Sequence, residues 1–432
     1  MEMLRGQHRA DAVIVGGGLT GLLLGAALTD AGMQIAILDG CEGASTHCAG
    51  QATLLWPWGY ATIEAAYGLE TARCHIQALS TQLAALTAAS LPYVRQNDVY
   101  AYARQEADLP LLHRQLDRLH QAGVPVALAP DAGGCPFPVA QSMLLHNQAL
   151  VDVPHWLACL KASILRRGGW IFPDSAVIAL DDSHVQTDKG RINAAHIILT
   201  AGKPLGLSCK RLTGLLETRL LLRCNLMSGY ALHCTQLDIN GAFSLCPSGM
   251  NAAAIGDGGR MGKRSQARQI MLFQDFIARF LPDWLPASLE SGPEIISADG
   301  LPVIGQLPGT RLLCACSYGG QGILNAMNAA SLLTRRLLGR VRPEDHLYAP
   351  GRKLPPHLLR QSQRLRNRLR TDSFLHPRSP VCSHCRGRLN YCVPVRRWGC
   401  PFCGTAYSMW GEVLWGPGLL PADLSIRQRP DL

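Results

Sequence analysis

A short, uninterrupted apolar run, Ala12-Val-Ile-Val15, breaks directly into Gly16, Gly17 and Gly18, and Gly21 and Gly25 follow within a stretch of helix formers that Gly32 stops. No other feature restricts the possible folds so strongly. A strand that is apolar at every position is buried on both faces, as in a parallel sheet covered by helices. Each glycine of Gly16-x-Gly18-x-x-Gly21 then has a mechanical role. The first permits a tight turn, the second lets backbone approach a pyrophosphate, and the third lets helix and strand pack closely, with the helix N-terminus facing the phosphate charge. Gln34 to Leu38 supplies a second strand, and Asp39 ends it where a carboxylate can accept hydrogen bonds from ribose hydroxyls. Strand, turn, helix, strand and acid together predict a βαβ unit that binds a dinucleotide, without choosing which one.

The rest of the chain is long enough for two or three domains. It has 432 residues, 47% hydrophobic and 17% charged, which describes a globular protein rather than a disordered one. No apolar run is long enough to cross a bilayer and no signal-peptide pattern appears, so a cytoplasmic location is expected. Ala, Leu, Gln and Glu dominate residues 60–122, predicting helices with a short strand near Val99 to Ala103. Pro154 to Arg166 reads as a helix ended by Gly168-Gly169, with strands near Trp170, Ala176, Val185 and Ile197. Leu216 to Ala254 alternates between apolar and polar residues, as antiparallel strands do. Ser265 to Phe280 is a helix stopped by Leu281-Pro282, and a strand at Leu312 to Ala315 leads to a last helix from about Gly322 to Leu338. The net charge of +10 is concentrated in Arg352, Lys353, Arg360, Arg364, Arg366, Arg368 and Arg370. This run reads either as a basic arm or as a solvated linker. No aromatic residues interleave with it, so nucleic acid is not an expected partner.

The choice of dinucleotide rests on more distant residues. Asp299-Gly-Leu-Pro-Val-Ile-Gly305 leads through a short strand to Ser317-Tyr-Gly-Gly-Gln-Gly322, a second glycine turn that opens a helix. With the N-terminal fingerprint and Thr200-Ala-Gly202, these segments resemble the D-amino acid oxidase and glycine oxidase superfamily over roughly residues 10–340. The resemblance implies FAD and oxidation of a C–N bond of an amine or amino-acid-like substrate by hydride transfer to the flavin. It implies an α/β (α+β) fold with a Rossmann-like FAD-binding domain from residues 10–90, 146–215 and 291–340. An antiparallel-sheet substrate domain would come from 91–145 and 216–290, followed by a basic linker at 341–379. Cofactor contacts are then expected at Gly16, Gly18, Gly21, Asp39, Val177, Gly202, Gly319, Gly320 and Gly322, with Gln321 and Glu294 at the reacting end.

Two positions carry more particular expectations. Gly43-Ala-Ser45-Thr46-His47-Cys-Ala-Gly50 resembles the segment of dimethylglycine and sarcosine dehydrogenases in which a histidine holds FAD covalently. His47 falls on that position, and it either carries the flavin or lines its pocket. Amino-acid oxidases of the family usually place a carboxylate-binding arginine five residues before the acid of the Asp-Gly-x-Pro motif. Glu294 stands there in this chain. A carboxylate at the flavin would repel a substrate carboxylate and suit an ammonium group, whereas a surface position would leave Glu294 without a role.

Sixteen cysteines are spread along the chain, most reading as reduced, buried small hydrophobes. Cys382-Ser-His-Cys385 and Cys400-Pro-Phe-Cys403 differ, because two C-x-x-C hooks can complete a tetrahedral thiolate site in a module at 380–424. Zinc held by Cys382, Cys385, Cys400 and Cys403 is the reading from spacing, with Cys392 a packing residue. Cys382-x-His384, Cys400 and the Trp410 to Pro417 segment also resemble a Rieske [2Fe–2S] domain, although Cys403 stands where a histidine ligand is expected. The alternative function is a flavin-containing subunit or electron-transfer flavoprotein whose metal module docks a protein partner or relays electrons.

Overall fold

The computed structural model describes residues 2–40, 48–201, 216–227, 232–241, 243–248, 251–260, 265–358, 360, 380–383, 387–400, 405–415 and 422. Strand β1 (Gly6–Val15), helix α1 (Leu19–Asp30) and strand β2 (Ile35–Leu38) form the βαβ unit. β1 pairs in parallel with β2 from Ala12↔Ile35 to Val15↔Leu38, and with Gly190–Leu199 from Gly6↔Gly190 to Val15↔Leu199. The sheet runs in the order Val303–Gln306, Leu313–Cys316, Gly190–Leu199, β1, β2, Trp170–Phe172, with Val177–Leu180 and His184–Thr187 attached beside Gly190–Leu199. β1 is apolar from Ala12 to Val15, where both its faces are covered. Ala12 and Ile14 pack with α1 and the helix Gly322–Leu337, while Val13 and Val15 pack with Ile192, Ile197 and Val303 on the other side.

A second sheet of nine strands provides the floor facing this domain. Its order is Leu285–Ser297, Leu216–Met227, Asn251–Arg260, Phe243–Ser248, Thr235–Asp238, Val94–Ala103, Gln141–Val151, Gln51–Ala52, with Ala127–Ala129 paired to Gln141–Val151. All neighbours are antiparallel except Thr235–Asp238 against Val94–Ala103. Leu222, Cys224, Leu226, Leu245, Ala252 and Ala254 project to one face and pack on Ile270, Phe273, Phe276 and Ile277 of the helix Ser265–Phe280. The alternation of a half-covered strand turns the intervening residues to the opposite face.

The tail forms an antiparallel meander of Asn390–Cys392, Arg397–Gly399, Ala406–Ser408 and Val413–Trp415. Cys382, Leu389, Trp398, Cys400 and Tyr407 make a small core of their own. Cys392 and Ala406 instead join the cluster around the helix Ser265–Phe280, so the tail is docked on the second sheet's outer layer. No helix among the described residues is long and apolar enough to cross a membrane.

Candidate active site

The first glycine turn is built around space that side chains would fill. Gly16 adopts φ +121°, and a Cβ there would lie 2.9 Å from the Thr200 backbone. A Cβ on Gly21 would overlap the Gly16 carbonyl oxygen, and one on Gly17 would overlap the Asp39 carboxyl. Thr200, at the end of the neighbouring parallel strand, donates its hydroxyl to the Gly16 carbonyl at 3.0 Å and braces the turn. Gly18 is the N-cap of α1 and gives it no side-chain cap, which leaves the helix start shaped for an anion. Asp39 is half-buried and accepts a hydrogen bond from the Gly17 N–H. Burial raises its carboxyl above the ordinary value, against the opposing pull of Lys161. The strand that follows Trp170–Phe172 begins at Val177, which is buried against the same cluster as Leu38, and Ser175 donates its N–H to the Asp39 carbonyl at 3.0 Å. This cradle fits the diphosphate and ribose of a dinucleotide. Gly17 was the unspecified position of the motif; three consecutive glycines were its only signal.

The second turn lies against the first. Ser317, Gly319 and Gly320 take φ values of +69°, +55° and +89°, and Gly322 opens the helix Gly322–Leu337. The Tyr318 hydroxyl and Thr20 Oγ1, on α1 between Gly18 and Gly21, are 3.0 Å apart and join the two turns. A Cβ on Gly319 would lie 2.8 Å from the Trp56 ring. At Gly320 it would lie 3.3 Å from Glu294 Oε1 and 3.7 Å from Trp56 Nε1. Glu294 and the glycine turn thus share one site. Trp56 is buried, and its indole N–H has no partner among the described residues. Such a donor at this turn fits the polar edge of a flavin ring. Sequence reasoning missed Trp56, because a tryptophan ahead of a helix looks like core.

Gln321 points away from that space. Its amide donates to the Thr53 carbonyl and the Tyr60 hydroxyl, each at 3.1 Å, and braces the turn from behind. Beneath it, fully buried His75 lies 3.1 Å from the Tyr348 hydroxyl through Nδ1. Burial, with Arg352 nearby, lowers the His75 pKa to about 3, so this imidazole is neutral.

Arg352 departs from the reading of its basic run as solvated. It follows a 3-10 helix, Pro343–Tyr348, and its side chain is only 7% exposed. Nε and Nη2 grip the two oxygens of Asp299 at 2.6 and 2.8 Å, and the carbonyls of Leu301 and Pro302 accept further bonds at 2.8 and 3.1 Å. Tyr67 donates its hydroxyl to the same carboxylate at 2.9 Å. Burial works to raise the Asp299 pKa, but the Arg352 guanidinium outweighs it and holds the carboxyl below its ordinary value. The acid of Asp-Gly-x-Pro is therefore a clamp on the loop between Glu294 and the second glycine turn.

Ser45, Thr46, His47, Gly202, Cys385 and Cys403 lie outside the described residues. Among the described residues, no three His, Cys, Asp or Glu side chains converge as a metal group. Cys382 and Cys400 are both fully buried in the tail core.

Fold and site together define a flavin-binding oxidoreductase architecture. The profile of the DAO family, FAD dependent oxidoreductase, matches residues 11–336, and the chain belongs to that family. Its fold is similar to that of glycine oxidase from Geobacillus kaustophilus, with 20% identity and a TM-score of 0.64 over 81% of this chain and 100% of that one. It is also similar to iminodiacetate oxidase from Chelativorans sp. BNC1, with 20% identity and a TM-score of 0.61 over 78% and 98% of the two chains. A relative from Bacillus subtilis (strain 168), named "Putative Rieske 2Fe-2S iron-sulfur protein YhfW", is 20% identical over 493 residues, spanning 97% of this chain and 94% of that protein.

Proposed function

We propose that this chain oxidises a C–N bond of a small amine or amino-acid-like substrate, with Glu294 receiving the substrate's ammonium side. The observation that carries this reading is the Glu294 carboxylate beside Gly320, on the turn that closes the flavin site. The names of the glycine and iminodiacetate oxidases agree with C–N chemistry on this fold. FAD, when bound, supplies the acceptor for the hydride. The chain's own residues do the positioning: Gly16, Gly18 and Gly21 admit the diphosphate, Asp39 the ribose, and the Gly319 to Gly322 turn with Trp56 the ring. Val177 flanks the Asp39 end, and Gln321 acts by fixing the turn. Removing a charged hydrogen-bond partner weakens binding by about 10- to 100-fold. Glu294→Gln should therefore lower kcat/KM for amines by that factor while the protein stays yellow. Strong turnover of glycine, alanine or sarcosine that Glu294→Gln does not change would remove this carboxylate from the site.

A second proposal concerns the tail. Cys382 donates its N–H to the Gly387 carbonyl and Cys400 to the Thr405 carbonyl, each at 2.8 Å, so the first cysteine of each hook makes the same backbone bond to the residue five positions on. This matching bond and the two C-x-x-C spacings support our assignment of Cys382, Cys385, Cys400 and Cys403 to a zinc that stabilises the module or docks a protein partner. The Rieske-named relative favours the alternative, a [2Fe–2S] cluster relaying electrons. The two differ in dependence on His384. Metal analysis should find about one zinc per chain, retained in His384→Ala. Iron in the parent that disappears in His384→Ala would establish the cluster instead.

A further inference from the structure

Arg223 lies on the strand Leu216–Met227, whose residues Leu222, Cys224 and Leu226 are buried against the helix Ser265–Phe280. Alternation therefore turns Arg223 and Asn225 to the other face of the sheet, the face shared by residue 219, whose register partner is Glu294. That face meets the flavin domain. Arg223 Nη1 donates to the carbonyl of Cys48, the residue after His47 in the sequence, at 3.1 Å, and Nε donates to Asn225 Oδ1 at 3.1 Å. Burial pushes the Cys48 thiol up; the Gly50 N–H and then Arg223 oppose this, and Glu294 adds to it. A guanidinium has five N–H donors, and among the described residues no partner takes the other three. With Nε and Nη1 each holding a partner, Nη2 and the second Nη1 hydrogen of this half-buried guanidinium remain for a carboxylate.

Resting on the reading of Glu294 as the amine's partner, we propose that Arg223 binds an anionic group of the substrate, which is an amine carrying a carboxylate several bonds from the oxidised carbon. Spacing sets that length. Glu294 pairs with residue 219 and Glu290 with Arg223, so Arg223 sits four residues further along, about 13 Å between Cα atoms at strand rise. Its bond to Asn225, two residues further still, draws the guanidinium away from Glu294 rather than toward it. The adjacent amine and carboxylate of an α-amino acid are too close together to engage both. An ω-amino acid engages both in an extended form.

The test is anaerobic flavin bleaching and turnover with glycine, 4-aminobutanoate and 6-aminohexanoate, against propylamine and pentylamine. The ω-amino acids should show KM values about 10- to 100-fold below the alkylamines, the range for a charged hydrogen bond. Arg223→Met should erase that advantage while leaving KM and kcat for the alkylamines within about 2-fold, and Arg223→Lys should restore part of it. A residue that only held the Cys48 loop would affect charged and neutral substrates alike, and that result overturns the proposal. Should Arg223→Met lose its flavin, the comparison on the unmodified enzyme decides: equal KM values for the two series, or a preference for glycine, overturn it. Bleaching by alkylamines without any gain from the carboxylate refutes the role of Arg223 alone. No bleaching by any of the five refutes the amine reading and this proposal with it.

Discussion

Gly21→Ala should yield a colourless protein. Gly21 sits in the first turn of α1, and its Cβ would overlap the Gly16 carbonyl oxygen. Neither atom can yield cheaply. The Gly16 carbonyl accepts from Thr200, and the Gly16 N–H is bonded to the Leu38 carbonyl at 2.8 Å. Relief of the clash requires α1 to move off β1, and this moves its N-terminus away from the diphosphate. The loss falls on cofactor affinity first, because the rest of α1 still packs on the helix Gly322–Leu337. We expect flavin absorbance in the purified variant to fall at least about tenfold, the result of losing roughly 1.4 kcal/mol or more of binding. Circular dichroism should retain most of the helical signal. A variant carrying a full complement of FAD would show that the diphosphate does not rest on this turn.

Arg352→Met should be the most damaging single change outside the glycine turns. It leaves the Asp299 carboxylate, 0% exposed, without its cation. Breaking a buried ion pair from one side destabilises by about 3–5 kcal/mol, against a total folding stability of about 5–15 kcal/mol. Arg352→Met with Asp299→Asn should regain much of that loss, because both charges are then gone. Denaturant unfolding of the single and double variants measures the difference; a single variant within about 1 kcal/mol of the parent would contradict the clamp. The pH dependence follows from the direction of the shift. Asp299 is held below 3.8 in the folded state, so the stability it contributes is fully present above that value. It is lost as the pH falls through the depressed folded-state value. In Arg352→Met the unpaired, buried carboxyl shifts upward instead, and acidification from neutral pH should recover stability.

The βαβ unit was legible because its signal is local: an all-apolar strand and glycines whose backbone space no other residue leaves open. The helix Ser265–Phe280 was legible from its stop and Gly322–Leu337 from the glycine turn that opens it. The strand Leu285–Ser297 was not, since Pro286, Gly292 and Pro293 break any strand pattern. It is the edge of its sheet, where missing N–H donors are tolerated, and it carries Glu294. The Asp299 loop was recognised as a motif, yet its partner was hidden in a run of arginines that by composition belongs in water. Trp56 was hidden for the opposite reason, as one more large apolar side chain. Local chemistry could be read from the sequence; the long-range pairings that give Arg352, Trp56 and Arg223 their roles could not.

The boundaries of recognition and of cooperative folding do not coincide in this chain. The family match ends at residue 336, while the cation that neutralises Asp299 arrives at 352. The match also begins at residue 11, part-way along β1, although Leu4 is buried and Gly6 already pairs with Gly190. A polypeptide trimmed to the recognisable region would retain every glycine of both turns. It would also begin life with an orphan anion in its interior and half of its central strand's register missing. The smallest autonomous unit here is therefore set by where charges close and ladders end, and a shared ancestry of sequence marks only its inner portion.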